Sequence, residues 1–342
     1  MSENLTNQKY IVPGEWEKHT ATWIAWPNDD DYFKDRMHKI EEACVLIVKN
    51  LHEGELVKIL VLDVNMENKA RTMLEQSSVD MTKIIFYHTD YVDIWIRYYG
   101  PIFLKNADKK KILKWKYDGY GLKFPELLID NEVFHTLKPS LGFESIDVDF
   151  VLEGGAIDAN GNGILLTTEE CLLENRNQGL TKEENEKIIC ENYGADKMIW
   201  LKKGILNDHT DGHIDEVARF VSKNKILCAF EEDQNNLNYL ITLENFKILE
   251  NATDKDGQKF EVVKLPLPHM NFEDGSQAPV SYSNFYIGNN VVLVPSFNDP
   301  NDIVALNIIK DCFPNKKVAQ INCEDLIYGG GGIHCITCQE PE

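Results

Sequence analysis

Short apolar runs alternate along the chain with longer stretches of helical periodicity, and this pattern predicts an α/β protein. Three stretches show the same order of strand, helix and strand, and they begin about 60 residues apart. Their predicted elements are residues 164–168, 182–192 and 198–201, then 225–230, 236–249 and 260–265, then 291–296, 302–312 and 317–321. The pattern therefore indicates one structural unit used repeatedly.

A looser copy of this unit opens the chain. Its predicted elements are a strand at residues 21–26, an amphipathic helix near 34–51, and strands at 58–64 and 83–87. Residues 103–150 have room for a further copy, which a lysine-rich turn near 107–111 interrupts. We therefore predict about five units in one domain over residues 1–342, with residues 1–10 as a flexible tail. An ordinary doubly wound sheet is the alternative, since it also alternates strands and helices.

Composition narrows the classes of protein that the chain can belong to. A hydrophobic content of 43% in 342 residues is ample for a large core, and no apolar run approaches the roughly 18 residues of a membrane-spanning helix. The polar start of the chain lacks a signal core, and the eight scattered cysteines suit reduced thiols, so a cytoplasmic protein is expected. A net charge of -21 argues against nucleic acid as a partner and would attract a cationic small molecule.

One unusual polar cluster follows the last strand of each predicted unit. The five clusters are residues 93–101, 153–158, 208–215, 281–285 and 329–337. Each alone fits an ordinary turn or strand. Their recurrence once per unit is the informative feature, because repeated units in a ring bring equivalent positions together at the axis.

The last cluster carries the most reactive group, the thiol of Cys335, which follows a run of four glycines, Ile333 and His334. A cysteine thiolate is a strong nucleophile. His213 and Asp215 are two residues apart and on an extended strand would share a face, which suits either a general base beside a carboxylate or a pair of metal ligands. Cysteine, histidine and carboxylates together suit attack on a cationic carbon such as that of a guanidinium, whose N–H groups match carboxylates.

Zinc is the main chemical alternative for such a set, but the close paired spacings of a zinc site are mostly missing. Cys335 and Cys338 form a single Cys-x-x-Cys that ends the chain and does not open a helix after a first strand, which disfavours a redox role. We therefore expect neither a metal nor an organic cofactor.

Several segments, taken together and in order, resemble a known family. They are Pro-Gly-Glu-Trp at 13–16, Thr-Trp-Ile-Ala-Trp-Pro at 22–27, Asp-Ile-Trp-Ile-Arg at 93–97 with Gly-Pro at 100–101, Glu-Gly-Gly at 153–155, Asp-Gly-His-Ile-Asp at 211–215, Asn-Phe-Tyr-Ile at 284–287 and residues 330–337. The set is similar to agmatine deiminases, in the family shared with bacterial peptidylarginine deiminases. The resemblance runs from about residue 13 to residue 341 and implies the five-fold pseudosymmetric α/β propeller of guanidine-modifying enzymes, the pentein fold.

The resemblance also implies roles for individual residues. Cys335 matches the nucleophile, His213 the general acid and base, and Asp215 a carboxylate that holds the guanidinium. Glu153 matches a supporting glutamate, and Trp95 an aromatic wall against the guanidinium plane. The remaining residues expected to contact substrate are Asp93, Arg97, Tyr98, Asp211, Asn284, Gly331 and Gly332.

The reaction implied is hydrolysis of agmatine to N-carbamoylputrescine and ammonia through a covalent thiouronium on Cys335. The partner is then a small cationic guanidine, with no nucleic acid and no membrane. Enzymes of this kind are commonly dimers or larger, so the resemblance also implies a homo-oligomer. The Gly-His-Ile-Asp form around His213 resembles the agmatine enzymes more than the peptidylarginine ones.

One position departs from the family pattern, which reads Trp-x-Arg-Asp before Gly-Pro. Tyr98 stands where that aspartate binds the guanidinium, and tyrosine carries no charge near neutral pH. The consequence is a weakened enzyme, a changed substrate, or a rearrangement in which Asp93 or Asp211 replaces the lost charge. A non-catalytic binder of guanidines or amines, a peptidylarginine deiminase and an amidinotransferase of the same fold stay open as alternatives.

Overall fold

The computed structural model describes residues 9–28, 33–107 and 109–342, except the side chain of residue 34, so most of the predicted tail lies outside it. The described residues form five small sheets. The strands are β1 His19–Ala25, β2 Leu56–Val61, β3 Ile84–His88, β4 Ile102–Lys105, β5 Lys110–Lys116, β6 Glu144–Val151, β7 Asp158–Ala159, β8 Ile164–Thr168, β9 Lys197–Leu201, β10 Ala218–Ser222, β11 Lys225–Phe230, β12 Glu261–Pro266, β13 Tyr286–Ile287, β14 Val291–Ser296, β15 Lys317–Asn322 and β16 Cys338–Pro341.

Helices connect the second and third strands of each unit, and further helices lie between the units. They are α1 Met37–Leu51, α2 Val64–Gln76, α3 Ile96–Tyr99, α4 Gly119–Leu122, α5 Asn131–Leu141, α6 Lys182–Tyr193, α7 Asn238–Asn251, α8 Asn301–Cys312 and α9 Glu324–Ile327. Tighter turns of helix lie at Lys34–Arg36, Met81–Lys83, Pro125–Asp130, Gly154–Ala156 and Ile214–Glu216, and a wider one lies at Glu170–Glu174.

All five sheets share one plan of three strands, to which the first sheet adds β3 as a fourth strand parallel to β2. A central strand pairs antiparallel with the strand before it and parallel with the strand that follows its helix, as in β7-β8-β9 and β10-β11-β12. In the first sheet β16, at the end of the chain, supplies the antiparallel strand beside β1, and Trp23 lies opposite Cys338. The last strand of the chain thus completes the first unit. Five units of this kind confirm the predicted α/β propeller.

The central strands are continuous apolar runs because both of their faces are covered. Every residue of β8 is buried, and so are the first five residues of β14. Helix α1 buries Ile40, Cys44, Ile47 and Leu51 at spacings of three and four, which gives it one apolar face toward the core. Helix α6 begins at Thr181, whose hydroxyl accepts from the backbone of Glu184 in a capping box.

The predicted strands at 164–168, 225–230 and 291–296 agree with β8, β11 and β14, and the other predicted elements differ by a few residues at their ends. One expectation was wrong. The stretch with His213 and Asp215 is not an extended strand, because Ile214–Glu216 is a tight turn closed by the Val217 N–H to the Ile214 carbonyl at 2.9 Å. Residues 281–285 lie outside the strands and precede β13.

The five polar clusters therefore lie on connections between sheets. Each one immediately precedes the first strand of a unit, namely β4, β7, β10, β13 or β16. Equivalent positions of the five units thus bring these segments together. No helix in the described part of the chain is long and apolar enough to cross a membrane.

Candidate active site

The Cys335 thiol lies in a buried loop, with 1% of the residue exposed. Its sulfur accepts hydrogen bonds from Asn284 Nδ2 at 3.2 Å and from the Gly332 N–H at 3.4 Å. Asn284 Oδ1 accepts from the N–H of His334 at 2.9 Å, so one amide side chain fixes two consecutive residues of the loop. A Cβ at position 332 would lie 2.6 Å from Asn284 Oδ1, which explains the glycine.

The surroundings of Cys335 keep its thiol protonated. Burial raises the pKa well above its usual value, and the charges of Asp215 and Glu216 raise it further. Hydrogen bonds from the Tyr98 hydroxyl and the Gly332 N–H lower the pKa in part. A cation entering this space would reverse the electrostatic effect and favour the thiolate.

His213 is fully buried close to Glu153, with Nε2 3.6 Å from Glu153 Oε2, longer than an ordinary hydrogen bond. Burial alone would lower the pKa of His213. Cys171 and Glu153 face the ring and more than offset that effect, so that its pKa rises to about 10. The ring is therefore an imidazolium at neutral pH and has a proton to donate, as a general acid requires.

Glu153 is held in its charged form by Arg176. Arg176 Nε donates to Glu153 Oε1 at 2.7 Å, and both side chains are fully buried. Burial would raise the pKa of Glu153, but Arg176 and His213 lower it to about 2. Arg176 also donates from Nη1 to Asp211 Oδ2 at 2.9 Å. Because Asp211 also accepts from Lys123, it is a partner of two cations and is not directed at the thiol.

Asp215 belongs to a second buried network behind the thiol. Its Oδ2 lies 2.8 Å from His334 Nδ1, while His334 Nε2 lies 2.8 Å from Glu15 Oε2. Glu15 is paired in turn with Arg219 at 3.0 Å. Burial would raise the pKa of Asp215, but the hydrogen bond and charge of His334 lower it. Asp215 Oδ1 has no hydrogen-bond partner among the described residues and can accept from a cation.

An aromatic pocket of about 90 Å³ opens above this centre, and the half-buried Asp93 carries a carboxyl group in its wall. Tyr120 donates its hydroxyl to Asp93 Oδ2 at 3.0 Å. Burial and the neighbouring Asp130 raise the pKa of Asp93 to about 7. Trp95 forms one wall and packs over Gly331, where a Cβ would approach the indole to 2.9 Å. Aromatic faces and carboxylates are suited to an organic cation.

Tyr98 lies between this pocket and the buried centre formed by Cys335 and His213. It is 4% exposed, and its ring centroid is 4.8 Å from that of His213 and 5.5 Å from that of Tyr120. The pocket wall includes Tyr98, whereas Cys335 and His213 are not part of it. The tyrosine thus fills the space in front of the thiol.

Gly155 shows how closely these groups converge. A Cβ built on Gly155 would lie 2.5 Å from the Tyr98 ring and 2.9 Å from both Asp215 Oδ2 and His213 Nδ1. Only a glycine leaves room for the three side chains at this point.

Arg97 was expected to bind substrate, but its contacts are with the loop that carries Cys335. It donates from Nη1 to Gln339 Oε1 at 2.6 Å and from Nε to the His334 carbonyl at 3.2 Å. Trp95 and Tyr98 are three residues apart around the turn of α3 and both line the pocket, whereas Arg97 projects elsewhere. The structure therefore places Arg97 as a brace for the loop.

Several groups that surround the site were not predicted from the sequence. Glu216 directly follows Asp215 and His334 directly precedes Cys335, so adjacency alone could have suggested both. Cys171, Arg176 and Tyr120 lie outside the five clusters, and only the fold brings them to the site.

Cys171, Glu153 and His213 each present a ligand atom within 4.8 Å of the others. Arg176 already occupies one oxygen of Glu153, and its positive charge disfavours a metal cation there. The set is better explained as a buried, charge-stabilising surround for His213, whose pKa Cys171 and Glu153 raise.

The chain is similar along its whole length to proteins of one family. The profile of the Porphyromonas-type peptidyl-arginine deiminase family matches residues 11–341. A Mycoplasma mycoides protein provisionally named agmatine deiminase is 34% identical, over 99% of this chain and 98% of its own.

Two solved structures cover essentially the whole chain. The agmatine deiminase of Enterococcus faecalis, described as catalysing its reaction, superposes with a TM-score of 0.89 at 30% identity and covers 100% of both chains. A variant of the C. jejuni agmatine deiminase with substrate bound superposes with a TM-score of 0.88 at 28% identity and covers 100% of this chain and 99% of its own. The chain therefore belongs to the Porphyromonas-type peptidyl-arginine deiminase family.

Proposed function

We propose that the chain hydrolyses agmatine to N-carbamoylputrescine and ammonia. The observation that carries this proposal is the convergence of the Cys335 thiol, the His213–Glu153 pair and the Asp215 carboxylate beneath an acidic, aromatic pocket. The relatives named agmatine deiminase support the choice of substrate. The eight cysteines, all free thiols, support a reducing compartment such as the cytoplasm.

In this proposal the guanidinium enters the space in front of the thiol and Asp215 accepts its N–H groups. The positive charge lowers the pKa of Cys335, and the thiol loses its proton to solvent, where it ends on the released ammonia as ammonium. The thiolate attacks the guanidinium carbon to form a tetrahedral adduct. His213 donates its proton to the departing nitrogen, ammonia leaves, and a thiouronium remains on Cys335.

The second half of the reaction uses the same histidine as a base. Neutral His213 takes a proton from water as the water attacks the thiouronium carbon. Collapse of that adduct breaks the carbon–sulfur bond, releases N-carbamoylputrescine and returns the thiol and the imidazolium. Glu153 stabilises the charged form of His213 in both halves, since it is held ionised by Arg176.

The position of Tyr98 favours one other function, a guanidine-binding protein with little or no turnover. Its buried ring separates the pocket from Cys335, and the usual carboxylate is missing at that position. This alternative predicts binding of agmatine without release of ammonia. A large gain in turnover on Tyr98→Asp substitution would support it, and full activity of the unaltered chain would exclude it.

Ammonia and ureido products measured with agmatine, arginine and a peptidylarginine test the proposal. We expect turnover with agmatine and none after Cys335→Ala. Cys338→Ala is the matched control, because the Cys338 thiol donates to the Pro101 carbonyl at 3.1 Å and does not line the pocket above Cys335. Undiminished ammonia release by Cys335→Ala would refute the proposal.

A further inference from the structure

A guanidinium in front of Cys335 would meet one ionised carboxylate, Asp215, because position 98 carries a tyrosine. The two aspartates expected to compensate are not placed to do so. Asp211 is bound to Arg176 and Lys123. Asp93 faces the pocket beyond the Tyr98 ring, where it accepts from Tyr120.

Glu216 is the carboxyl group that does reach the thiol. It follows Asp215 in the tight turn Ile214–Glu216, which directs both side chains into the same buried centre. It is 5% exposed, and its Oε1 lies 3.9 Å from Cys335 Sγ. Its Oε2 is buried and has no hydrogen-bond partner in the described part of the chain.

A buried carboxyl oxygen without a partner costs free energy unless a ligand supplies one. The hydroxyl of Tyr98 shows which position such a ligand would take. Burial raises the pKa of that hydroxyl most, and its neighbours Cys335, with which it shares a hydrogen bond, Asp215 and Glu216 raise it further. An N–H donor at this position would therefore lie among the thiol and two carboxyl groups.

We propose that Glu216 is the second carboxylate of the guanidinium subsite and takes the place of the carboxylate missing at position 98. A guanidinium then lies between Glu216 and Asp215 once the Tyr98 ring turns away. This inference rests on the proposed function, because it assigns a residue to the same substrate. It makes the chain a guanidine enzyme whose cation is held by two adjacent residues of one turn.

The protonation of Glu216 is expected to change when a guanidinium binds. Burial raises the pKa of Glu216 well above its usual value, and the charges of Asp215 and Asp208 raise it further, so the protonated form is favoured while no cation is bound. A bound guanidinium would favour its ionised form. Glu216→Gln resembles the neutral form and should leave the melting temperature unchanged.

The test measures agmatine binding by calorimetry in the full chain carrying Cys335→Ala, which prevents turnover. Adding Glu216→Gln should weaken binding at least ten-fold, as expected for the loss of one charge-assisted hydrogen bond. Glu232→Gln, which removes the same charge from an exposed position, should leave binding unchanged. Adding Tyr98→Asp to Glu216→Gln should restore affinity to within a few-fold, which a merely structural role would not produce.

The outcomes separate the two proposals. Unchanged affinity in Glu216→Gln, or a loss that Tyr98→Asp does not restore, overturns the assignment of Glu216 and leaves agmatine hydrolysis standing. Weakened and restored binding, together with no ammonia release by the unaltered chain, supports Glu216 and overturns hydrolysis. Failure of the Cys335→Ala chain to bind either agmatine or the guanidinium ion overturns both.

Discussion

Glu153→Gln tests whether the buried carboxylate sets the protonation of His213. The substitution keeps the shape of the side chain and an acceptor for Arg176, but it removes the charge 3.6 Å from the histidine. The pKa of His213, raised to about 10 by Cys171 and Glu153, should fall. In the proposed mechanism His213 donates its proton to the departing ammonia, so the alkaline limb of the pH–rate profile should move to lower pH.

The magnitudes follow from the contact between Glu153 and Arg176. Loss of one partner of a fully buried ion pair costs roughly 3–5 kcal/mol. Arg176 keeps its hydrogen bonds to Asp211 and to the Thr210 carbonyl, so the loss should be smaller here. We expect the free energy of unfolding to fall by about 2–3 kcal/mol and the melting temperature by roughly 4–10 °C. Impaired acid–base catalysis should lower kcat about 10- to 100-fold.

The stability effect should itself depend on pH. A histidine whose pKa is raised on folding stabilises the fold fully below its unfolded value near 6.5 and loses that contribution as pH rises through about 10. The gap in melting temperature between the unaltered chain and Glu153→Gln should therefore shrink from pH 7 toward pH 10.

The assay is ammonia release from agmatine between pH 6 and pH 10.5, with melting curves at each pH. Glu169→Gln is the control, because Glu169 also accepts from two lysines, at 2.7 Å each, but at the surface. The Glu169→Gln substitution should lower the free energy of unfolding by less than about 1 kcal/mol and leave kcat unchanged. An unshifted alkaline limb with kcat within two-fold of the unaltered chain would refute the reasoning.

Two further substitutions test the contacts that hold the loop carrying Cys335. Gly332→Ala places a Cβ 2.6 Å from Asn284 Oδ1, so we expect displacement of that amide and a fall in kcat of at least ten-fold with a folded protein, measured by kinetics and circular dichroism. An unchanged kcat would contradict the role given to Asn284. Arg97→Lys removes the contacts to Gln339 and the His334 carbonyl, so the melting temperature and kcat should fall while KM for agmatine stays the same; a selective rise in KM would return Arg97 to the substrate site.

The unit of the fold was predictable because its central strands are buried on both faces and read as uninterrupted apolar runs. Strands β8, β11 and β14 were located from this signal alone. The pairing of β16 with β1 was not, because hydrophobic pattern carries no information on which distant strands meet. The tight turn at Ile214–Glu216 was missed since a spacing of two residues fits a strand equally well.

The site, like the fold, was only partly predictable from the sequence. Cys335, His213, Glu153 and Asp215 lie in clusters that recur once per unit, and the structure brings all four together. Cys171, Arg176 and Tyr120 lie far from these clusters along the chain, so neither pattern nor spacing indicates them. The direction of Arg97 also depends on a single helical turn, and sequence alone does not show which way each residue of that turn projects.

The central claim is that Cys335 attacks the guanidinium and forms a covalent intermediate. The most direct measurement is mass spectrometry of the chain after acid quenching during turnover with agmatine. We predict an added mass equal to agmatine less one ammonia on the peptide that carries Cys335, and no such adduct in Cys335→Ala. An adduct on Cys171 instead, or ammonia release by Cys335→Ala at the rate of the unaltered chain, would contradict the account.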